Sequence, residues 1–297
     1  MEKFKRTFGF ILNHPLGKRH PVKALIQFVW WQIQSSVRPS KLMVKPYLSG
    51  INFYARKGLT GITGNIYTGL HEFNDMAFLL HFLRPADVFF DIGANVGSYT
   101  LLASGLCDAK TIAIEASAYT AAITDKNISL NNLQDKATLI NAAAGAEAGV
   151  LTFSKNEDTT NHITSPDETP NTEVETVRVI TIDSLVVNDN PALIKIDVEG
   201  FETEVLKGMN NTLKQESLKA IIIELNGNSI RYGFNEQDIH LLLMSSGFKP
   251  YHYDPFKRDL VPMTSYGNHN TIYCRDIEYI NTRLKTAKAF NIMGETI

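Results

Sequence analysis

Cysteine is scarce in this chain of 297 residues: only Cys107 and Cys274 occur, far apart and outside any CxxC or Cys/His cluster. A disulfide framework, a structural zinc site and a redox pair are thereby disfavoured, and a reducing compartment fits. Long apolar runs are missing too. No stretch approaches the about 18 apolar residues that a membrane span needs. The N-terminal MEKFKRTFGFILNHPLGK has neither the apolar core nor the cleavage site of a signal peptide, so the chain is expected to be cytoplasmic. Two nucleotide signatures are absent. Without G-x-x-x-x-G-K-[ST] there is no P-loop, and without G-x-G-x-x-G a nicotinamide enzyme is disfavoured. The N/D-P-P-Y-type motif of base methylation is not found, and no nucleic-acid partner is expected.

What is present is an ordinary globular composition, 44% hydrophobic and 20% charged, enough apolar surface to fold without staples. The net charge of -2 hides an asymmetry. Residues 1–57 hold eleven Lys and Arg and one acid, Glu2, for +10, while the other 240 residues hold 18 basic and 30 acidic side chains, for -12. A basic arm of this kind can meet anionic lipid, nucleic acid or its own acidic body.

Within the arm, Pro21 followed by VKALIQFVWWQIQ predicts a helix, with Lys23, Gln27 and Gln34 on one face and Leu25, Phe28, Val29, Trp30, Trp31 and Ile33 over most of the rest. Both tryptophans lie here between basic flanks, as in a helix resting in a membrane interface. The same apolar face could instead pack on the body or on a second subunit, as most such faces do. The glycine-rich stretch 47–69 reads as short strands and turns. From residue 72 helices alternate with apolar strands: HEFNDMAFLLHFL, DVFFDIG, a helix from Ser98, KTIAIE, a helix from Tyr119, ATLINAAAG, PALIKIDVEG, FETEVLKGM, LKAIIIELN and EQDIHLLLMSSG. FKPYHYD and HNTIYC close the order as two strands. Continuous apolar strands separated by helices indicate an α/β fold, doubly wound, its mostly parallel sheet covered on both faces.

Ligands in such sheets bind beyond the carboxyl ends of the strands. Polar residues gather at those ends here: Asp91, Gly93, Asn95 and Gly97, then Glu115, Asn141, Asp197 with Glu199, and Glu224 with Asn226. In DIGANVGSY, Gly93 and Gly97 permit close backbone approach and the helix start can receive an anionic group. Glu115, at the end of the second strand, is placed to take both hydroxyls of a ribose. A plain turn followed by a helix-capping acid is the blander alternative.

The blocks D-I-G-A-N-V-G, I-E-A, L-I-K-I-D-V-E-G-F-E and V-L-K-G-M closely resemble the FkbM-type S-adenosylmethionine-dependent methyltransferases, over about residues 66–274. The resemblance implies a class I (Rossmann-like) methyltransferase fold, S-adenosyl-L-methionine as donor and a hydroxyl oxygen as acceptor. It places Asp91, Gly93, Asn95 and Gly97 at the methionine part, Glu115 at the ribose and Glu72 near the donor's amino group. Ser98, Asn141, Ala142 and Asp197 would border the same site. The family commonly has proline after the ribose acid, whereas Ala116-Ser117 follows here. Residues 1–60 then form a basic extension, 61–275 the methyltransferase domain and 276–297 a helical tail.

Methyl transfer to a hydroxyl needs an in-line geometry and a base for the proton. Lys195, Asp197 and Glu199 would share one side of their strand if it runs that far, and they are the catalytic candidates. Glu199 could instead cap the following helix, and Lys195 and Asp197 could be a structural ion pair. Asp197, Glu224 and Asn226 are oxygen ligands of the kind hard cations accept, but their spacing is not diagnostic and no metal is expected. His162, in the polar stretch from Ser154 to Glu175, and His269 are further candidates for the base. Asp183 reads as a helix N-cap. The expected function is O-methylation of a carbohydrate or glycan intermediate, with peripheral contact of the arm at the inner membrane face. The alternative is a non-catalytic S-adenosylmethionine-binding module docked to membrane or protein partners.

Overall fold

A computed structural model describes residues 2–154, 162–164, 173–186 and 189–297. The arm is helical: α1 (Glu2–Asn13), α2 (Pro15–Arg19) and α3 (Pro21–Val37), the last two opening on prolines whose missing N–H costs nothing in a first turn. A hairpin follows, β1 (Met43–Pro46) with β2 (Asn52–Ala55), and then α4 (Thr60–Thr68). The glycines here were expected to mark turns only. Gly64 nevertheless lies inside α4, where a Cβ would come within 2.7 Å of the His71 side chain. It is a packing glycine, and nothing in local sequence distinguishes it from a turn glycine.

The α/β core begins with α5 (Phe73–Phe82), β3 (Val88–Ile92), α6 (Ser98–Leu106), β4 (Lys110–Glu115), α7 (Ala118–Leu130) and β5 (Ala137–Asn141). ATLINAAAG is not one strand. After Asn141 the chain leaves the main sheet and builds a separate three-stranded sheet from β6 (Ala143–Ala144), β7 (Gly149–Ser154) and β8 (Val174–Ile180), in the order β6-β8-β7. It returns through β9 (Leu193–Ile196), α8 (Glu202–Lys207), β10 (Ala220–Glu224) and α9 (Glu236–Ser245). Three antiparallel strands, not two, complete the sheet: β11 (Lys249–Asp254), β12 (Asp259–Pro262) and β13 (Asn270–Cys274). Beyond 275, α10 (Ile277–Lys285) is followed by a hairpin of β14 (Asn291–Ile292) and β15 (Glu295–Thr296), so strand joins the helix expected there.

The main sheet runs β12-β11-β13-β10-β9-β3-β4-β5, with every pairing from β10 to β5 parallel. Strand order reverses between β3 and β9, since the chain moves outward through β4 and β5 and then comes back to the other side of β3. Alternating side chains feed two cores. Phe89, Leu193 and Ile222 face the cluster formed with α5, α6 and α10, while Phe90, Ile194, Ile221 and Ile223 face that formed with α8 and α9. This is the doubly wound Rossmann-like arrangement implied by the sequence resemblance.

The arm is seated on this body. Ile11, Ala24, Phe28 and Trp31 share a buried cluster with Phe53, Ile62, Tyr67, Val96 and Ile123. The tryptophans part company: Trp31 is 3% exposed and Trp30 59%. Arg19 and His20 reach Glu295 at 3.0 and 2.9 Å, and Lys23 donates to the Met293 carbonyl at 3.1 Å. Removing the buried ring in Phe28→Ala should therefore lower unfolding stability by about 3–5 kcal/mol. Val22→Ser, on the opposite face, should change it by less than about 0.5 kcal/mol. Urea unfolding of the two variants checks the seating, and equal effects would contradict it.

Candidate functional site

A cavity of about 330 Å³ opens at the reversal point, beyond the carboxyl ends of β3, β4 and β9. Its walls come from several parts of the chain, Glu224 at the end of β10 and the apolar Phe153 and Ile163 among them. The β3–α6 loop supplies Asp91, Gly93, Asn95, Ser98 and Tyr99; the end of β4 supplies Glu115 to Ser117. The start of the small sheet supplies Ala142 to Ala144, β9 and its loop supply Lys195, Asp197 and Glu199, and Gly61, His71 and Glu72 close the side nearest the arm.

The loop after β3 is compressed against the loop after β9. Gly93 has φ +79°, and a Cβ at that position would lie 1.8 Å from the Asp197 carbonyl oxygen. Asn95, at φ +52°, turns its N–H onto Glu115 Oε2 at 2.7 Å. Glu115 Oε1 accepts from the Ser117 N–H at 2.9 Å and the Thr120 hydroxyl at 2.8 Å. The carboxylate is thus fixed in orientation at the cavity edge. Burial pushes it up to about 7, against the three donors that favour its charged form. Asp91 Oδ2 accepts from the Thr100 N–H and hydroxyl at 3.0 and 2.6 Å, tying the end of β3 to the first turn of α6.

Lys195 is 3% exposed and stands beside Asp91 in the register of β9 and β3. Its ammonium donates to Asp197 Oδ2 at 2.7 Å and lies 4.9 Å from the centre of the Tyr99 ring. Burial alone would lower the Lys195 pKa, but the carboxylates of Asp197, Glu72 and Asp91 outweigh it and the net direction is up. Tyr99 in turn donates to Glu72 Oε2 at 2.6 Å. Around this cation the walls carry six carboxyl groups: Glu72, Asp91, Glu115, Asp197, Glu199 and Glu224. Burial pushes the Glu224 carboxyl well above the usual carboxylate range, and the neighbouring Asp197 adds to the effect. Burial also lifts Glu199, to about 7, with Asp197 and Glu202 adding to the effect.

Most residues singled out in the sequence converge here: Glu72, Asp91, Gly93, Asn95, Ser98, Glu115, Ala142, Lys195, Asp197 and Glu199 all line the cavity. Gly97 and Asn141 do not. Gly97, at φ +85°, packs toward Thr124, and Asn141 Nδ2 holds the Glu115 and Ala116 carbonyls at 2.8 and 3.0 Å. The strand ends at Ile196, so Glu199 does not share a strand face with Lys195. A tight turn brings it to the cavity instead, with Glu199 at φ +55° and Gly200 at φ +104°. Glu199 does not cap α8, whose N-cap is Phe201; Glu202, the first residue of the helix, braces the preceding turn by taking the Val198 and Gly200 N–H groups on Oε1, both at 3.1 Å.

Asp183 accepts from the N–H groups of Asn211 and Thr212 at 3.0 and 2.8 Å, capping a short 3₁₀ turn rather than its own segment. His162 is buried against Ser154 and, like His269, is not among the cavity walls. The polar stretch around His162 lies mostly outside the described residues, though Phe153 and Ile163 on its margins line the cavity. His71 and Tyr99 were missed in the sequence. Each neighbours a predicted residue, Glu72 and Ser98, and that adjacency was the available signal.

Asp197, Glu199 and Glu224 offer oxygens within 4.8 Å of one another, the single group of three potential metal ligands among the described residues. Asn226 instead donates to Glu224 Oε2 at 3.0 Å.

Glu115 gives a test of the buried charge. A carboxyl whose folded pKa is raised binds more protons folded than unfolded, so its contribution to stability is present below about 4.5 and is lost as pH rises through about 7. Glu115→Gln removes that titration. The fall in urea midpoint between pH 5 and pH 8 should be shallower in the variant than in the parent, and an unchanged slope would contradict the assigned environment.

The hexuronic acid methyltransferase AglP of Haloferax volcanii is 28% identical over 172 residues, 56% of this chain and 64% of that protein, so the match spans just under two thirds of that relative's length. Among solved structures, precorrin-6y C5,15-methyltransferase of Geobacter metallireducens is 14% identical, covering 69% of this chain and 87% of that one with a TM-score of 0.41. TrmK of M. capricolum, in complex with S-adenosyl-homocysteine, is 11% identical, covering 68% of each chain with a TM-score of 0.39. Residues 91–250, more than half of the sequence and including Asp91, Glu115, Lys195, Asp197 and Glu199, match the methyltransferase FkbM domain, and the chain belongs to that family.

Proposed function

We propose that the protein is an S-adenosylmethionine-dependent O-methyltransferase acting on a hydroxyl of a carbohydrate or glycan intermediate. The observation that carries this reading is the cavity itself: six carboxyl groups around one buried lysine, at the strand-order reversal. A donor set so rich in carboxylates suits a ligand bearing a sulfonium and an ammonium. Glu115, with its orientation fixed from three sides, is suited to a ribose diol. Asp91, Gly93, Asn95 and Ser98 would hold the methionine part, with Glu72 toward the amino group and Ala142 along the adjoining wall. S-adenosylmethionine bound there supplies a methyl carbon made electrophilic by the sulfonium.

The chain's own task is orientation and proton removal. As the acceptor oxygen forms its bond to the methyl carbon and the carbon–sulfur bond breaks, the hydroxyl proton must leave, and Glu199 is the carboxylate that takes it. It lines the cavity, accepts from Asn228 Nδ2 at 2.8 Å, and carries a pKa lifted to about 7, near the value that makes a carboxylate an effective base at neutral pH. Asp197 is engaged by Lys195 and Glu224 and serves to orient the acceptor and hold the lysine. The apolar wall of Phe153, Ile163 and Phe201 limits water at the other side. The glycan acceptor is supported by the similarity to AglP, a hexuronic acid methyltransferase. The same reading places the protein in the cytoplasm, where glycan precursors carried on lipid would present hydroxyls at the inner membrane face.

Labelled-methyl transfer to polysaccharide, glycolipid and uronic-acid-containing oligosaccharide fractions tests the proposal. Label appearing in an ether-linked methyl group on a sugar is the expected result. Donor binding with no turnover across all fractions would replace the enzyme by a binding module. Two variants separate the roles. Glu115→Ala should raise the donor Kd at least about tenfold, the loss of a charged hydrogen-bonding partner. Glu199→Gln should leave donor Kd within about threefold but lower kcat by about 10²-fold or more, the usual contribution of a general base. Calorimetry and turnover on the same preparations read both, and wild-type kcat in Glu199→Gln would remove it from the role.

A further inference from the structure

One surface of the molecule is left unexplained by the cavity. Opposite its buried residues Ala24, Phe28, Trp31 and Ser35, α3 presents Val22, Ile26, Val29, Trp30, Ile33 and Val37 to solvent. At 100° per residue these six fall on one face. They are not marginally exposed: Val22 is 69%, Ile26 63% and Val37 73% accessible. Val22, Leu25, Ile26, Val29 and Trp30 line a shallow apolar groove on that face. Phe8 and Leu12 of the neighbouring α1 are exposed as well. A contiguous apolar face of this extent marks a docking site.

The charge around it identifies the occupant. Arg6, Lys18, Arg38 and Lys41 are exposed at the margins of the helical arm, and residues 1–57 contain a single acid, Glu2. The arm's charge is not consumed by the body: Arg19 and Lys23 are bound to the β14–β15 hairpin, but these four basic residues remain at the surface. A second copy docked symmetrically through the same face would set this basic margin against itself. A sheet of anionic headgroups over acyl chains satisfies both parts at once, with lysine and arginine at the headgroups and the valine, isoleucine and tryptophan side chains below them. No helix among the described residues is long and apolar enough to cross a membrane, so the contact lies in the interface plane.

We propose that α3 docks the protein peripherally on an anionic lipid bilayer through Val22, Ile26, Val29, Trp30, Ile33 and Val37. The surface stands on its own geometry and does not depend on the methyl-transfer reading. Its consequence for acceptor supply does depend on that reading. α3 packs on α4, and Gly61 of α4 lines the cavity, so a docked α3 brings the cavity's arm side near the lipid surface.

The test uses the full chain and vesicles of phosphatidylcholine with or without 40 mol% phosphatidylglycerol, read by co-sedimentation and by tryptophan emission. The expected result is binding to the anionic vesicles at least about tenfold tighter than to neutral ones, weakened by salt, with a blue shift from Trp30. The triple variant Val22→Ser, Ile26→Ser, Trp30→Ser should lose that binding at least about tenfold. Its urea midpoint should match the parent, since all three side chains face solvent. Arg38→Gln with Lys41→Gln should weaken anionic binding and flatten its salt dependence. Equal binding of parent and triple variant, or equal affinity for both vesicle types, would overturn the proposal. So would a concentration-dependent dimer in solution that the triple variant abolishes, which would assign the face to a second copy.

Discussion

One buried ammonium organises the site. Lys195 sits on a central parallel strand, beside Asp91 in register and paired with Asp197 at 2.7 Å. Without it, Asp91 and Asp197 would face each other across the reversal point with no counter-charge, at a cost of several kcal/mol for each buried ion. With it, two strands can end in carboxylates a few ångströms apart while their loops close to the point where Gly93 leaves no room for a Cβ against the Asp197 carbonyl. The hydrogen bond from Tyr99 to Glu72 extends the same solution outward. The cavity thereby keeps a surplus of negative charge, which is the property a cationic methyl donor uses.

The division of charge along the chain has a structural counterpart. The acidic surplus of the body includes the carboxyl groups at the cavity, whereas the basic arm lies over α4 and the C-terminal hairpin, held by Phe28, Trp31 and the contacts of Arg19 and His20 with Glu295. The arm is not a loose appendage. One face of α3 completes the core and packs on α4, and the other is apolar and exposed.

Much of this was legible beforehand because the relevant signals are local. Strand periodicity, the turn glycines of DIGANVG and the acids at successive strand ends all announce the crevice, and Glu72 was reached through the family resemblance. What stayed hidden depends on contacts distant in sequence. Gly64 reads as a turn residue but is a glycine because His71 lies against it. Alternation would put Glu199 on the face of Lys195 only if the strand ran that far, but the strand ends at Ile196 and the backbone turns at Glu199 and Gly200, where a Cβ at Gly200 would strike the Asn228 carbonyl at 2.6 Å. Glu202 rather than Glu199 braces this turn, from the first residue of α8 back to the Val198 and Gly200 N–H groups. The six solvent-facing apolar residues of α3 could be counted in the sequence, but which side of the helix was buried could not.

The central claim is that the carboxylate-lined crevice between the ends of β3 and β9 is the donor site. Its most direct test is a crystal structure of the protein with S-adenosylhomocysteine. The account predicts the nucleoside hydroxyls on the Glu115 carboxylate and the amino-acid portion between Glu72 and the Gly93–Ser98 loop. A ligand bound elsewhere, or turned so that Glu115 meets no hydroxyl, would contradict it.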